Sequence, residues 1–418
     1  MNRRKISIII IKIYGLAYDM LSSVIDWFLY ILFIPTESLK KDSDKKAIVY
    51  VSDRMIVRSS RVAKWVKRFG GYNTILLCPK LFFIEKFSNN QWDKVILYRN
   101  KYHLLRILRQ MKQVYLFHGF APKSFYPDLV RQHIKAPFII DMQDVYACYY
   151  GLNPTVRWIK AELPHEKNCL QLSDGLVGQS LEPNVALRKY GKIKPPTLFF
   201  PLYCDNDFFQ TNIKNLDPDN IHFVYAGGVA GSHRDKAQFG TIQFHHLIQV
   251  LSDQQIHFHI YPSPSNFKAD YKEYEEISIQ NKYFHFHQSV SQDQLAVELS
   301  KYHFGVLPFF KANTGQSAEK FKYATTLKLF NYIEAGIPIL VSEDLVYQNW
   351  IIKRNNAGVT IKENDLNNIK EVIATLDYPT LVSNLIKNRE AISLKAHIPR
   401  LINFYNNVVI RTKNGEDN

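Results

Sequence analysis

Cysteine is scarce. Cys78, Cys148, Cys169 and Cys204 are the four in 418 residues, with no Cys-x-x-Cys and no Cys/His cluster. That excludes a disulfide scaffold and argues against a structural zinc site; it fits reduced thiols in a cytoplasmic protein. Nucleotide-binding signatures in their complete form are missing too. There is no G-K-[ST] Walker loop and no full G-x-G-x-x-G. Acidic residues run short: Lys and Arg number 53 against 38 Asp and Glu, so 53 − 38 = +15, with a pI near 9.4. Such a surplus implies polyanionic company, whether nucleic acid, anionic lipid or phosphorylated substrates. What is present is ordinary globular composition, 46% hydrophobic and 22% charged, which excludes disorder, collagen and coiled coil for the chain as a whole. At roughly 150 residues per domain the length predicts two or three domains.

Residues Ile6 to Ile34 are mostly apolar, but Lys12 interrupts the run and no A-x-A follows, so a signal peptide is not expected. Lys12, Asp19 and Asp26 recur every seven residues, with Ser23 and Tyr30 on the same line. Seven residues are about two helical turns, so these side chains form one polar stripe on an otherwise Ile/Leu/Val/Trp/Phe helix. The pattern suits a helix in a membrane interface, with Arg3, Arg4 and Lys5 for anionic headgroups. Packing on the protein's own first domain, or a true span, are the alternatives. Lys40 to Lys46 is a charged linker.

From Ala47 short apolar runs alternate with helical periods. Strands are predicted at Ile48–Ser52, Thr74–Cys78, Lys94–Tyr98, Gln113–His118, Pro137–Met142, Gly175–Val177 and Thr197–Phe200. Several are β-branched without clean alternation, as expected for strands covered on both faces. Pro201 to Asn220 breaks the rhythm and reads as a domain boundary. Strands are predicted again at His222–Ala226, His257–Tyr261, Tyr283–His287, Phe304–Pro308, Ile337–Val341 and Gly358–Ile361, with helices at Gln238–Leu251, Gln292–Lys301 and Thr326–Ala335 and a final amphipathic helix at Ile398–Val409. This is α/β alternation: two successive doubly wound parallel units whose strand ends face a cleft. The predicted boundaries are 1–46 for the amino-terminal segment, 47–205 and 206–396 for the two domains, and 397–418 for the last helix and tail.

Two stretches carry chemistry. In the first, the strand Phe223–Ala226 runs into Gly227-Gly228-Val229-Ala230-Gly231-Ser232, followed by Arg234 and Lys236. Glycines let backbone N–H groups approach a phosphate, and basic side chains neutralise it. In the second, Thr326 can cap a helix through Ala335 that Gly336 ends, with Leu327, Phe330 and Ile333 packing inward. Lys328 then lies in the first turn, where a cation opposes the helix dipole, so an anionic ligand is a sensible reason for it.

The string Lys328-Leu329-Phe330-Asn331-Tyr332-Ile333-Glu334-Ala335-Gly336-Ile337-Pro338-Ile339-Leu340-Val341 resembles the donor-site signature of bacterial GT-B glycosyltransferases of the group 1 / family 4 type. The strand-Tyr-Ala-Gly-Gly opening, the Gly305-Val306-Leu307-Pro308 strand and the last helix are similar to that family as well. The resemblance implies two Rossmann-like domains with a C-terminal crossover helix, a nucleotide-sugar donor on the second and an acceptor on the first. It also implies metal-independent transfer with no resident cofactor, and, by family default, retention of configuration. Donor contacts would fall on Gly227, Gly228, Ser232, Arg234, Lys236, Thr326, Lys328 and Tyr332. Asn331 occupies the usual position of a ribose-gripping Glu, whose upstream partner falls on Tyr323; Glu319 could serve with a shifted loop. Gly228 stands where many members carry Arg.

In the first domain, the resemblance places His118 beside the reacting sugar, a satisfied structural histidine being the other reading. Asp144 sits at the family's acidic turn. Arg58 and Arg61 are candidates for acceptor phosphates. Asp205-Asn206-Asp207 and Asp217-Pro218-Asp219 match the Asp-x-Asp of metal-dependent transferases in letters only, because both lie in the inferred linker. No basic helix or aromatic–basic platform for nucleic acid is present. The expected activity is hexosyl transfer from a nucleotide sugar to a glycan or lipid-linked acceptor in capsule, O-antigen or exopolysaccharide (surface polysaccharide) synthesis, on the cytoplasmic face of an anionic membrane. A catalytically degenerate GT-B membrane-assembly protein is the alternative.

Overall fold

The computed structural model describes residues 19–32, 46–52, 56–80, 91–121, 123–191, 195–211, 215–263 and 268–415. Most of the amino-terminal segment read from the sequence therefore lies outside the described residues, but 19–31 are helical, as its periodicity requires.

Among the described residues thirteen strands fall in two parallel sheets. The first contains β1 (Ala47–Ser52), β2 (Asn73–Pro79), β3 (Lys94–Tyr98), β4 (Leu116–Ala121), β5 (Phe138–Met142), β6 (Gly175–Gly178) and β7 (Thr197–Phe199), in the order β3-β2-β1-β4-β5-β6-β7. The second contains β8 (His222–Gly227), β9 (His257–Pro262), β10 (Phe284–Phe286), β11 (Phe304–Leu307), β12 (Ile339–Ser342) and β13 (Gly358–Ile361), in the order β10-β9-β8-β11-β12-β13. In each sheet the winding reverses between its first strand and the neighbour that follows the crossover, β1/β4 and β8/β11. A crevice opens at the carboxyl ends of such strand pairs, which is where doubly wound sheets hold ligands.

The central strands are buried on both faces, which explains why they read as continuous apolar runs. In β1, Val49 and Val51 enter one core with Phe117 and Ile140, whereas Ile48 and Tyr50 enter another with Leu116 and Phe120. The predicted helix Gln238–Leu251 is broken: a short turn at Lys236–Phe239 and a 3-10 turn at Gly240–Ile242 precede the helix proper at His245–Asp253.

The last helix, Leu394–Asn414, returns to the first domain. Leu394, Ile398, Leu401, Tyr405 and Val408 recur at three- and four-residue steps and bury against Ile48, Tyr50, Val62 and Val66. The two chain crossings between domains touch. Cys204 N–H donates to Ile392 O at 2.9 Å, and Leu394 N–H donates to Cys204 O at 2.7 Å.

Candidate functional site

The helix after β11 starts where its sequence says. Thr326 is extended, its hydroxyl accepting from Lys328 N–H at 3.4 Å, and the helix runs from Leu327 to Ala335. Gly336 adopts φ 74° and ψ 22°, the left-handed cap geometry that a side chain disfavours. Lys328 thereby projects to the end of β8. Its ammonium lies 5.5 Å from the ring centres of both Tyr225 and Phe309. A Cβ at Gly227 would fall 2.0 Å from Lys328 Cε, so the bare backbone of Gly227 is what leaves room for the lysine. Among the described residues no carboxylate pairs with Lys328. Burial, with a smaller push from Lys320, lowers its pKa to about 8, partly offset by Asp144. At neutral pH it remains mostly a cation without a counter-ion, the state an incoming anion relieves.

Asp144, beyond the end of β5, faces the same space from the first domain. It is exposed and accepts from Tyr149 Oη at 3.0 Å. Its charge acts on Lys328, Lys320 and Glu182, which therefore share one field. Glu182 is buried, and burial followed by the repulsion of Asp144 raises its pKa to about 8. Lys320, also lowered by burial, lies on the short helix Ala318–Tyr323, capped by Ser317. The sequence reading missed Lys320 and Glu182. For Lys320 the local signal is Ser317, which caps the short helix that carries it. Domain-bridging bonds close the cleft floor: Ser317 Oγ donates to Cys148 O at 2.7 Å, and Lys189 pairs with Glu319.

Several predicted site residues take other places. Asn331 and Tyr332, outside the inward-packing set Leu327, Phe330 and Ile333, are buried as well, because the first domain and the second sheet both cover this helix. Tyr332 lies against Gly305; its hydroxyl donates to Val306 O at 3.3 Å and accepts from Ala226 N–H at 3.2 Å, locking β8 to β11. Asn331 Oδ1 accepts from Gln292 at 3.2 Å and from Arg61 at 3.3 Å. Arg61 is thus no acceptor contact here: its guanidinium forks onto Glu334 at 2.6 and 3.0 Å across the domain boundary. Arg58 is likewise buried, donating to Asp141 at 2.9 Å and to the carbonyls of Phe200 and Pro201 at 2.9 and 3.2 Å. Burial raises Asp141 to about 6 against the pull of Arg58.

His118 does not border the cleft. It is fully buried beneath the last helix, with Nδ1 2.7 Å from Tyr405 Oη, and burial followed by the Arg58 charge holds it well below the usual imidazole range. Arg234, expected to be free for phosphate, is held by Asp270 at 2.8 and 2.9 Å. Ser232 is bonded to Glu273 through N–H at 2.8 Å and Oγ at 3.0 Å. Glu319 is engaged with Lys189. Gly228 offers its carbonyl to Tyr225 Oη at 2.9 Å, and Lys236 is exposed at its short helix. Asp205 and Asp207 bind Lys64 at 2.6 and 2.9 Å, fastening the linker to the first domain. No group of three or more His, Cys, Asp or Glu side chains among the described residues is placed to hold a metal ion.

Solved structures share the fold. The Anabaena protein HepE, in complex with UDP-glucose, superposes with a TM-score of 0.58 at 10% identity, over 88% of this chain and 99% of that one. The α,α-trehalose 6-phosphate synthase of Burkholderia multivorans gives 0.55 at 9% identity, over 89% and 98%. No curated protein matches the sequence. The architecture is GT-B, two Rossmann-like domains facing one cleft. Residues 241–403 match the family model for the C-terminal domain of glucosyltransferase 3-like proteins, a region that contains Lys320 and Lys328. By its fold, and by that match over the second domain, the chain is similar to GT-B glycosyltransferases.

Proposed function

We propose that the chain moves a sugar from a nucleotide-diphosphate donor, seated on the second domain at the ends of β8 and β11, to a glycan or lipid-linked acceptor on the first. The observation that carries this is Lys328, a partly buried ammonium with no counter-ion among the described residues, pressed against Gly227 at the β8/β11 switch point. As the bond to the leaving diphosphate breaks, charge develops on its oxygens. A cation already in place stabilises that charge without reorganisation. Lys320 adds a second positive charge to the same field, and Asp144 opposite can accept a hydrogen bond from a sugar hydroxyl. With cations in this position, neither a divalent metal nor a resident cofactor is required; the nucleotide sugar is the co-substrate. The UDP-glucose bound by HepE supports a UDP-sugar as donor.

The family resemblance supports retention of configuration. It also supports a place in surface polysaccharide synthesis on the cytoplasmic side of the plasma membrane, where the +15 charge suits a lipid diphosphate and anionic headgroups. The test is release of nucleotide diphosphate from UDP-, GDP- and dTDP-sugars, with and without EDTA. Release from at least one of them, unchanged by EDTA, is expected. No turnover of any sugar nucleotide sinks the transferase reading, and activity lost to EDTA and restored by Mn²⁺ sinks the metal-free part.

A further inference from the structure

The helix at 19–31 sits on the first domain the opposite way round from an ordinary surface helix. Asp26 is fully buried against the protein. Its carboxylate accepts from Arg99 and Arg106, each at 3.0 Å, and from Asn100 at 2.8 Å. One turn on, Tyr30 O accepts from Arg109 at 2.7 Å, and the Arg109 guanidinium stacks 3.6 Å from the Tyr30 ring centre. Asp26 and Tyr30 of the polar stripe therefore lie on the docked side, and they meet the helix Lys101–Gln110 and the residues just before it.

The apolar side faces out. Met20, Leu21, Val24, Ile25, Trp27, Phe28, Ile31 and Leu32 are between 42% and 71% exposed. At 100° per residue these positions fill an arc of about 160° centred opposite Asp26. Isolated exposed apolar residues need no explanation, but a continuous face of eight marks an interaction surface. No helix among the described residues is long and apolar enough to cross a membrane.

We propose that this face inserts into the headgroup–acyl boundary of an anionic bilayer, and that the Asp26 clamp is what turns it outward. Charge selects a bilayer over a second copy of the chain. Between Lys94 and Lys112 the sequence has six Lys or Arg and no Asp or Glu, and Asp26 of the docked helix offsets one of these charges, which leaves the stretch positive. A second copy would bring the same positive sign to the contact, whereas anionic headgroups complement it. Trp27 beside the apolar run suits the interface, where an indole keeps one edge in the polar layer. This deepens the membrane-surface reading given above and rests on it.

The experiment is flotation of the full chain with vesicles of phosphatidylglycerol and phosphatidylethanolamine, or of phosphatidylcholine alone. The W27S/F28S double substitution changes two outward side chains. It is expected to cut the bound fraction on anionic vesicles at least about tenfold, with the melting temperature unchanged. Because all four native cysteines are buried, a bimane attached at Phe28→Cys reports the site; a blue shift on anionic vesicles is expected, and none for a label at Ile279→Cys. Equal flotation of wild type and W27S/F28S, or no flotation of wild type, overturns the proposal. So does a wild-type dimer in solution that W27S/F28S makes monomeric. Binding to phosphatidylcholine as strong as to the anionic vesicles overturns the anionic surface. Transfer to a water-soluble acceptor is measured on the same proteins. Its absence with flotation intact sinks the transferase reading and leaves this surface standing.

Discussion

Arg61 of the first domain and Glu334 of the second form a buried fork, two guanidinium nitrogens on two carboxylate oxygens at 2.6 and 3.0 Å. Glu334 also accepts from the linker amide of Asp205 at 2.7 Å, so one carboxylate ties together both domains and the strand of chain joining them. Burial raises the Glu334 pKa, and Arg61 holds it back.

Arg61→Ala leaves Glu334 buried without its partner. Breaking such a pair is expected to cost about 3–5 kcal/mol, whereas replacing both ends by apolar groups of similar volume costs much less. Chemical denaturation of R61A and of the double substitution R61M/E334M checks this. Equal destabilisation by both would show that the pair contributes packing rather than charge compensation.

Lys328→Ala is expected to lower kcat/KM on the order of 10²–10³-fold, the range for removing one preorganised electrostatic donor. Arg234→Ala should cost far less, because Asp270 already neutralises that guanidinium. Wild-type kcat/KM in K328A, for any donor the enzyme uses, would remove Lys328 from the donor site.

Gly227→Ala tests the same lysine through its neighbour. The added methyl competes with Lys328 Cε for one position. We expect the lysine to be displaced and donor affinity to fall, with the acceptor KM unaffected. Calorimetric titration of G227A with the donor nucleotide decides; wild-type affinity would mean that the lysine has room to move.

A histidine ladder on the second sheet sets an acid limit. His222 Nδ1 lies 2.9 Å from His259 Nε2, His259 Nδ1 2.9 Å from His287 Nε2, and His257 Nδ1 2.9 Å from His285 Nε2. Each contact needs one ring to donate and the other to accept, so the accepting ring must be neutral and a proton on its facing nitrogen breaks the contact. Burial, then neighbouring imidazoles, lower His259 and His285; burial, then Lys282, lowers His257. His287 is lowered by burial, with Glu298 opposing and Lys301 adding to it. A depressed folded-state pKa means that the stabilisation is complete above the unfolded value near 6.5 and is lost as pH falls below it. Melting temperature should therefore drop between about pH 7 and about pH 5, and His259→Gln should flatten that drop. A pH-independent melting temperature over this range would contradict the ladder.

Much of the fold was legible in the chain. The apolar runs place the thirteen strands of the described residues to within a few residues, since both faces of a parallel sheet select β-branched and aromatic side chains without alternation. The Thr326 cap, the Gly336 stop and the position of Lys328 are also local facts, fixed by hydrogen bonds within a few residues of each other. The polar stripe at Asp19, Asp26 and Tyr30 was readable as a stripe. Which way it faces was not, because that depends on Arg99, Arg106 and Arg109, some seventy to eighty residues later. The same holds for His118, Arg58, Arg61, Asn331 and Arg234. Each is a polar residue at a strand end, helix or loop, which is all a sequence shows. Its partner, be it Tyr405, Asp141, Glu334 or Asp270, comes from a distant segment, and only the packing of two domains and a returning helix decides whether a charge is already spoken for or, like that of Lys328, still waits for a ligand.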